Sequence, residues 1–399
     1  MTTPPDVLDA ADPLAPFRDR FVIDDDLVAY LDGNSLGRLP RATLERLTAF
    51  VREEWGGRLI RGWAESWVEL PVTVGDELGV ALLGAAPGQT VIADSTSVCI
   101  YKLLHAAADL RPGRDEIVID ATNFPTDRYL VDSVAAARGL TVRWLDPELV
   151  ENVTTATLDG VVGERTAVVV LSHVDYRSGT LLDLPALTEA VHAAGAVVIW
   201  DLCHSVGVVP IELDAVGADF AVGCTYKYVN AGPGAPAFVY VAQRHLAEAR
   251  QPIAGWWSAA DLFAMGDTYE ASATIRRMLS GTPSVAGILA VQQGVRLIAE
   301  AGVAAIRAKS EALTAYAVEL LDAAGLEIVT PRDPALRGSH VTVRHPDARA
   351  VTERLVERGV VPDFREPDLI RLGLSPLTTS YAELAAATRI LVDVTAPIG

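Results

Sequence analysis

The stretch from Ala196 to Val241 limits the folds open to this chain more than any other segment. It opens with an uninterrupted apolar run, Ala196-Val197-Val198-Ile199-Trp200, which reads as a strand buried on both faces and ending at Asp201. A second apolar run, Phe220–Gly223, stops just before Cys224-Thr225-Tyr226-Lys227-Tyr228. The glycine- and proline-rich Asn230–Pro236 then turns the chain into a third strand, Ala237–Val241. Upstream, Leu187–Ala194 has helical spacing and is closed by Gly195 as a C-cap. Thr90–Asp94, Glu116–Asp120 and Ala167–Leu171 are further short strands, and Val98–Ala108 is an apolar-rich helix. Strand–helix–strand alternation predicts an α/β fold with a mostly parallel sheet covered by helices. It places a ligand in the crevice at the carboxyl ends of the strands.

Two reactive side chains fall at those ends: Asp201 closes one strand and Lys227 follows the next. This pair is what a pyridoxal 5'-phosphate (PLP) site needs. The lysine forms a Schiff base with the cofactor aldehyde, and the carboxylate keeps the pyridine nitrogen protonated so that the ring accepts electrons. Taken alone, an Asp and a Lys at strand ends are more often structural. The blocks around them change that weighting: Asp201-Leu202-Cys203-His204, Thr225-Tyr226-Lys227-Tyr228 and Asn230-Ala231-Gly232-Pro233-Gly234. Together they resemble the cofactor core of fold-type I PLP-dependent enzymes. More narrowly, they resemble the kynureninase family of the class V aminotransferase superfamily, and the resemblance runs from about Tyr30 to Arg371.

Further candidates follow from the matching positions. Ser95-Thr96-Ser97 opens a helix, where hydroxyls serve as a cap but also as a phosphate cradle at the positive helix end. The resemblance makes Thr96 and Ser97 the phosphate-binding pair. Phe124-Pro125-Thr126-Asp127 reads locally as a proline-marked loop after a strand. The resemblance stacks Phe124 on the pyridine face and puts Pro125, Thr126 and Asp127 near the ring. It also puts Ser172 near the ring, lets His204 support Asp201 or the phosphate, and gives Tyr226 a phosphate hydrogen bond and a proton-relay role. Trp256 and Thr282 match positions that reach the phosphate, commonly from the partner subunit, which implies a homodimer with shared active sites.

On the substrate side, Arg371 lies in the strand beginning Leu369-Ile370, where an unpaired buried guanidinium would be costly. It is either a structural ion pair or a clamp on an α-carboxylate, and it matches the family's carboxylate arginine. Asn34-Ser35 reads locally as a turn, and Arg61–Trp67 as a tryptophan-rich packing segment. The resemblance places Ser35 and Trp63 at the substrate pocket.

Half of the 399 residues are hydrophobic and 21% are charged, so the chain is expected to fold as a soluble protein. A net charge of −19 argues against nucleic acid or an anionic membrane as partner. Cys203 and His204 lack further ligands at metal spacing, so no metal is expected. The three cysteines suit a reducing compartment, and with no leader or spanning segment in view the expected location is cytoplasmic. The expected division is an N-terminal lead-in and helix over 1–50 packing with the small domain, a large PLP-binding domain over 51–284, and a small α/β C-terminal domain over 285–399. From Val285 the pattern suggests one long helix, then strands at Leu326–Thr330, His340–Arg344 and Val360–Phe364.

By resemblance, the expected activity is hydrolysis of the Cβ–Cγ bond of L-kynurenine to anthranilate and L-alanine in tryptophan catabolism. Trp63 and Thr282 stand where the animal branch has His and Asn, which favours kynurenine over 3-hydroxykynurenine. A class V aminotransferase or epimerase would use Lys227, Asp201 and Arg371 equally well. A cysteine desulfurase-like lyase is disfavoured because no cysteine follows Cys224, and a PLP-binding regulator because the Lys–Asp–Arg set is intact.

Overall fold

Strands whose residues are nearly all apolar can only be covered on both faces, and the central sheet bears this out. The computed structural model describes residues 3–23 and 26–395. Thirteen strands are present among the described residues: β1 (Ala29–Tyr30), β2 (Thr90–Ala93), β3 (Glu116–Asp120), β4 (Thr141–Leu145), β5 (Thr166–Ser172), β6 (Val197–Asp201), β7 (Phe220–Gly223), β8 (Ala237–Val241), β9 (Glu327–Ile328), β10 (His340–Arg344), β11 (Val360–Val361), β12 (Asp363–Arg365) and β13 (Leu369–Gly373). Seven form one sheet in the order β2-β8-β7-β6-β5-β3-β4. Alternate residues feed two separate cores: Val198, Trp200 and Ala221 on one face, Val197, Ile199, Phe220 and Val222 on the other.

Strands β4, β3, β5, β6 and β7 run parallel, with one register shift, between Glu116 and Ile117 where β3 meets β5. Ser172 lies beside Asp201, and Asp201 beside Val222, so their carboxyl ends are level. β8 is antiparallel to β7. No crossover helix separates them, and the chain reverses through Asn230, Gly232 and Gly234, all at positive φ. Lys227 sits on that reversal.

A second sheet, β12-β13-β10-β9, is antiparallel throughout. Its core combines Val341, Val343, Ile370 and Leu372 with Leu313, Leu384 and Leu391 of helices Val303–Ala323 and Tyr381–Thr395. The N-terminal segment joins this sheet's surroundings. β1 pairs with β11, and Asp9 caps helix Tyr381–Thr395 by accepting from the Tyr381 and Ala382 amides at 2.8 and 3.0 Å. Gly37 then approaches the lysine loop so closely that a Cβ would stand 2.3 Å from the Lys227 carbonyl oxygen, and its amide donates to the Tyr226 carbonyl. The glycine turn of the N-terminal segment is thereby docked on the lysine loop.

Several elements differ from expectation. Pro125 opens helix Pro125–Arg138 at a position where its missing N–H costs nothing, so the proline-marked loop is a helix start. β4 has mostly exposed side chains and gave no apolar signal. The long helix from Val285 is broken at Gly302 into Val285–Ala301 and Val303–Ala323, which meet at 80°. Pro362 splits the expected strand Val360–Phe364 into β11 and β12, which join different sheets. No single described helix is long and apolar enough to cross a membrane.

The start of β6 is held by Asp219, which is 1% exposed. Its carboxylate accepts from the Val198 amide at 2.9 Å and from His192 and His245 at 2.7 Å each, and pairs with Arg244 at 2.7 Å. Burial works to raise the Asp219 carboxyl, but the hydrogen bonds from His192, His245 and Val198 outweigh it and hold it well below the ordinary carboxylate range. A carboxyl depressed in the folded state stabilises it above the unfolded pKa of about 3.9, and this contribution is lost as pH falls through the folded value. Asp219→Ala is therefore expected to cost about 3 kcal/mol at neutral pH. Urea unfolding should show the gap to wild type narrowing towards about pH 3; a gap independent of pH would contradict the assignment.

Candidate active site

The level strand ends bring the predicted residues into one place. Asp201 ends β6, and its Oδ1 accepts from the Cys203 amide at 2.8 Å, which folds the next turn back over the sheet. That turn carries His204. After β7, Thr225 donates its hydroxyl to the Pro236 carbonyl at 2.7 Å, tying both ends of the chain reversal together. Lys227 Nζ then stands 3.1 Å from His204 Nε2. Around them lies a cavity of about 80 Å³ lined by Thr96, Ser97, Phe124, Thr126, Asp127, Ser172, Asp201, His204, Tyr226 and Lys227, together with Tyr176 and Cys203.

A larger cavity of about 410 Å³ adjoins it and shares Thr96, Ser97 and Tyr226. Its other walls are Asp94–Ser95, Gly234–Pro236 and Leu279–Ser284, including Thr282. Helix Thr96–Asp109 points its N-terminus at this junction. Ser95 is its N-cap, accepting from the Val98 amide at 3.4 Å, which leaves the amides of Thr96 and Ser97 outside the helical ladder. Asp94, at φ +41°, makes the strand-to-helix turn. It pairs with the fully buried ammonium of Lys102, which also donates to the Met278 carbonyl at 2.7 Å.

Phe124 precedes helix Pro125–Arg138 and meets Tyr176 edge-on at 5.3 Å between ring centroids. Pro125 starts that helix without lining either cavity. Ser172 donates to Asn123 Oδ1 at 3.1 Å, and Asn123 donates to Asp120 at 2.8 Å, so the ends of β3 and β5 are linked through side chains.

Electrostatics separate the titrating groups. Burial, reinforced by the neighbouring Asp201 charge, raises the Asp127 carboxyl well above its ordinary value. Burial also keeps His204 neutral, and Lys227 and Arg371 add to the effect. The Tyr226 hydroxyl is pushed up, again mainly by burial, and stays protonated.

Arg371, on β13, is wholly buried. Nη1 donates to the Tyr176 carbonyl at 2.6 Å, and Nη2 donates to Ser35 Oγ at 3.1 Å and pairs with Asp363. Arg365 reaches the same Asp363 carboxylate at 2.8 Å. Arg371 Nε is buried with no hydrogen-bond partner. Trp63 packs between Trp67 and Trp257, at 5.1 Å from each. Trp256 is 36% exposed and stacks edge-on against Trp257 at 4.5 Å. These two tryptophans line neither cavity in this chain. Among the described residues no group of three or more His, Cys, Asp or Glu side chains could hold a metal ion.

Sequence reasoning did not single out Tyr176, Asp363, Arg365 or His340. Asp363 meets Arg371 only through the β12–β13 register, which no local pattern announces. Tyr176 lies in the loop after β5, where a strand-end position was the one available signal.

Comparisons with known proteins agree with one another. Residues 306–391 match the family model of the kynureninase C-terminal domain. The chain is 42% identical to a kynureninase of Pseudomonas fluorescens, over 99% of this chain and 96% of that one. It is 43% identical to a kynureninase of Deinococcus radiodurans, over 96% and 93%. Among solved structures, the apo cysteine desulfurase of Thermococcus onnurineus NA1 superposes with a TM-score of 0.82 at 17% identity, over 95% of this chain and 97% of that one. The cystine C-S lyase C-DES gives 0.82 at 20% identity, over 92% and 98%. The structural likeness establishes the fold alone, whereas identity above two-fifths over nearly the whole length establishes descent: the chain belongs to the kynureninase family.

Proposed function

We propose that the chain is a PLP-dependent kynureninase that hydrolyses the Cβ–Cγ bond of L-kynurenine, with water, to anthranilate and L-alanine. The observation that carries the reading is Lys227 beside His204 in a cavity that also holds Asp201, Phe124 and the Thr96–Ser97 helix end. The cavity suits the cofactor's parts. Thr96, Ser97 and the free amides of their helix end fit a phosphate, Phe124 offers an aromatic face, and the buried, unpartnered Oδ2 of Asp127 awaits a polar group. Thr126, Ser172 and His204 complete this set, and Pro125 serves by starting the helix that carries Thr126 and Asp127; Trp256 and Thr282 would be added from a second subunit.

When bound, PLP supplies the electron sink for the substrate's α-carbon. Lys227 Nζ takes the Cα proton, and neutral His204 accepts a hydrogen bond from the resulting ammonium. Asp201, on the cavity wall, would hold the cofactor's ring nitrogen. Asp127 keeps its own proton and so avoids repelling Asp201. Tyr226 Oη, protonated and common to both cavities, would donate to the phosphate and can return a proton. Arg371 Nε is the donor left for the α-carboxylate, while Tyr176, Ser35 and Asp363 hold the guanidinium in place.

Ser35 and Trp63 belong to the substrate side, and Trp63 with Thr282 favours kynurenine over its 3-hydroxy form. The division into 1–50, 51–284 and 285–399 is part of this proposal, as is a cytoplasmic location, which the three free cysteines support. So is a homodimer with shared sites. The exposed Trp256, Phe263 and Met265 support it, because Trp256 lines neither of the two cavities at the candidate site of its own chain.

Three outcomes test the proposal. Lys227→Ala should lower anthranilate formation, followed by its fluorescence, by about 10⁴-fold or more and remove the cofactor's absorbance band. Turnover retained in that variant would end the assignment. Arg371→Ala should reduce kcat/KM about 100-fold through KM while PLP remains bound, since a charged hydrogen bond contributes about 1.5–3 kcal/mol; loss of PLP instead would move Arg371 to the cofactor. Light scattering should give twice the 42.4 kDa chain mass, and a monomer would refute the shared site.

A further inference from the structure

His340 opens β10 with its side chain wholly buried. The strand's alternation explains where it points. Val341 and Val343 enter the core of the four-stranded sheet, while Thr342 donates to the Arg177 carbonyl at 2.6 Å on the side of the seven-stranded sheet. His340 shares the side of Thr342. A Cβ on Gly179 would lie 3.1 Å from its Nε2, and its ring centroid is 5.9 Å from that of His204, with the planes inclined at 57°. Both of its ring nitrogens are buried without a hydrogen-bond partner. Such groups are rare in folded proteins and call for an explanation.

His204 supplies one. Its Nε2 faces Lys227 Nζ at 3.1 Å. An ammonium can only donate, so Nε2 accepts and the ring proton belongs on Nδ1. The imidazole of His340, its centroid 5.9 Å away, is the neighbouring ring with an unused acceptor for that N–H. Burial is the main cause holding both rings neutral. Lys227 and Arg371 reinforce it at His204, and Arg371 and Lys227 at His340, with Arg365 acting on both. The charged groups facing the pair are thus Lys227 from the loop after β7, Arg371 from β13 and Arg365 from β12, the two arginines sharing Asp363.

We propose that His340 is a positioning residue for Lys227. It accepts the His204 Nδ1–H, after a small ring rotation or through one bridging water, and so fixes His204 in the tautomer that receives a proton-bearing lysine. The inference rests on Lys227 being the reacting amine. It gives the four-stranded sheet a hold on the reacting nitrogen through His204.

The test compares His340→Leu, which removes both polar atoms, with His340→Gln, which retains an acceptor, in the PLP-loaded enzyme. His340→Leu should lower kcat by roughly 10-fold or more, the scale of lost outer-shell partners, with KM for L-kynurenine and PLP affinity near wild type. The pH midpoint of the cofactor's absorbance change should move to lower pH in this variant, because the protonated nitrogen loses a well-oriented acceptor. His340→Gln should restore both the rate and the midpoint. Wild-type kcat and midpoint in His340→Leu would overturn the proposal. So would a loss of PLP in that variant, which indicates a merely structural role, or a glutamine variant as impaired as the leucine one. If the leucine variant does not fold, His340→Met carries the same comparison. A wild-type protein that neither binds PLP nor forms anthranilate would instead defeat the functional reading itself, and is seen before any variant is made.

Discussion

The register of the central sheet is the constraint on which the site depends. Ser172, Asp201 and the residues before Lys227 stand level because β5, β6 and β7 are parallel and paired without slippage at their carboxyl ends. Side chains alternate along a strand, so a one-residue slip of β6 would exchange the faces of Trp200 and Asp201. Trp200 is fully buried, with its indole N–H donating to Thr188 at 3.0 Å, and exchanging its place would empty one core and crowd the other. The packing of an indole therefore fixes the position of a carboxylate. At the other end of the same strand, Asp219 holds the Val198 amide, so β6 is pinned at both ends.

The antiparallel turn into β8 has a comparable role. A parallel connection after β7 would have carried the chain away from the strand ends through a crossover helix. The reversal instead keeps Thr225–Gly234 at the crevice, where Thr225 ties to Pro236 and Gly37 docks against the Lys227 carbonyl. Lys227 is thus presented from a loop braced on both sides, and its reach to His204 follows from that bracing.

The sheet and the lysine loop were legible because their signals are local: uninterrupted apolar runs, a terminal Asp, hydroxyls before a helix, glycines at a turn. Glu116–Asp120, Phe220–Gly223 and Ala237–Val241 have the same ends in the structure as in the sequence reading. β4 was not legible, since an edge strand with exposed side chains need not be apolar. The break at Gly302 and the split at Pro362 fall at residues known to interrupt elements, but only tertiary packing decides whether they do. The carboxylate side of the site was the least legible. Arg371 stood out as a buried cation, yet Asp363 and Arg365 become its neighbours only through strand pairing, and His340 meets His204 across two sheets.

The fold is shared with a cysteine desulfurase at 17% identity and a cystine C-S lyase at 20%, so the sheet by itself does not select the chemistry. What the chain places on the sheet does. Desulfurase chemistry needs a mobile nucleophilic cysteine on the small domain, and no cysteine follows Cys224 here. Cys203 and Cys224 are instead buried within the cofactor core, Cys203 in the cavity wall and the Cys224 amide donating to Cys203 Sγ at 3.1 Å. The corresponding region of this chain contributes fixed groups: Arg371 and Arg365 on one carboxylate, and the buried imidazole of His340 5.9 Å from that of His204. A mobile sulfur acts by travelling to the substrate, whereas fixed donors and acceptors act by holding it while water attacks a carbonyl.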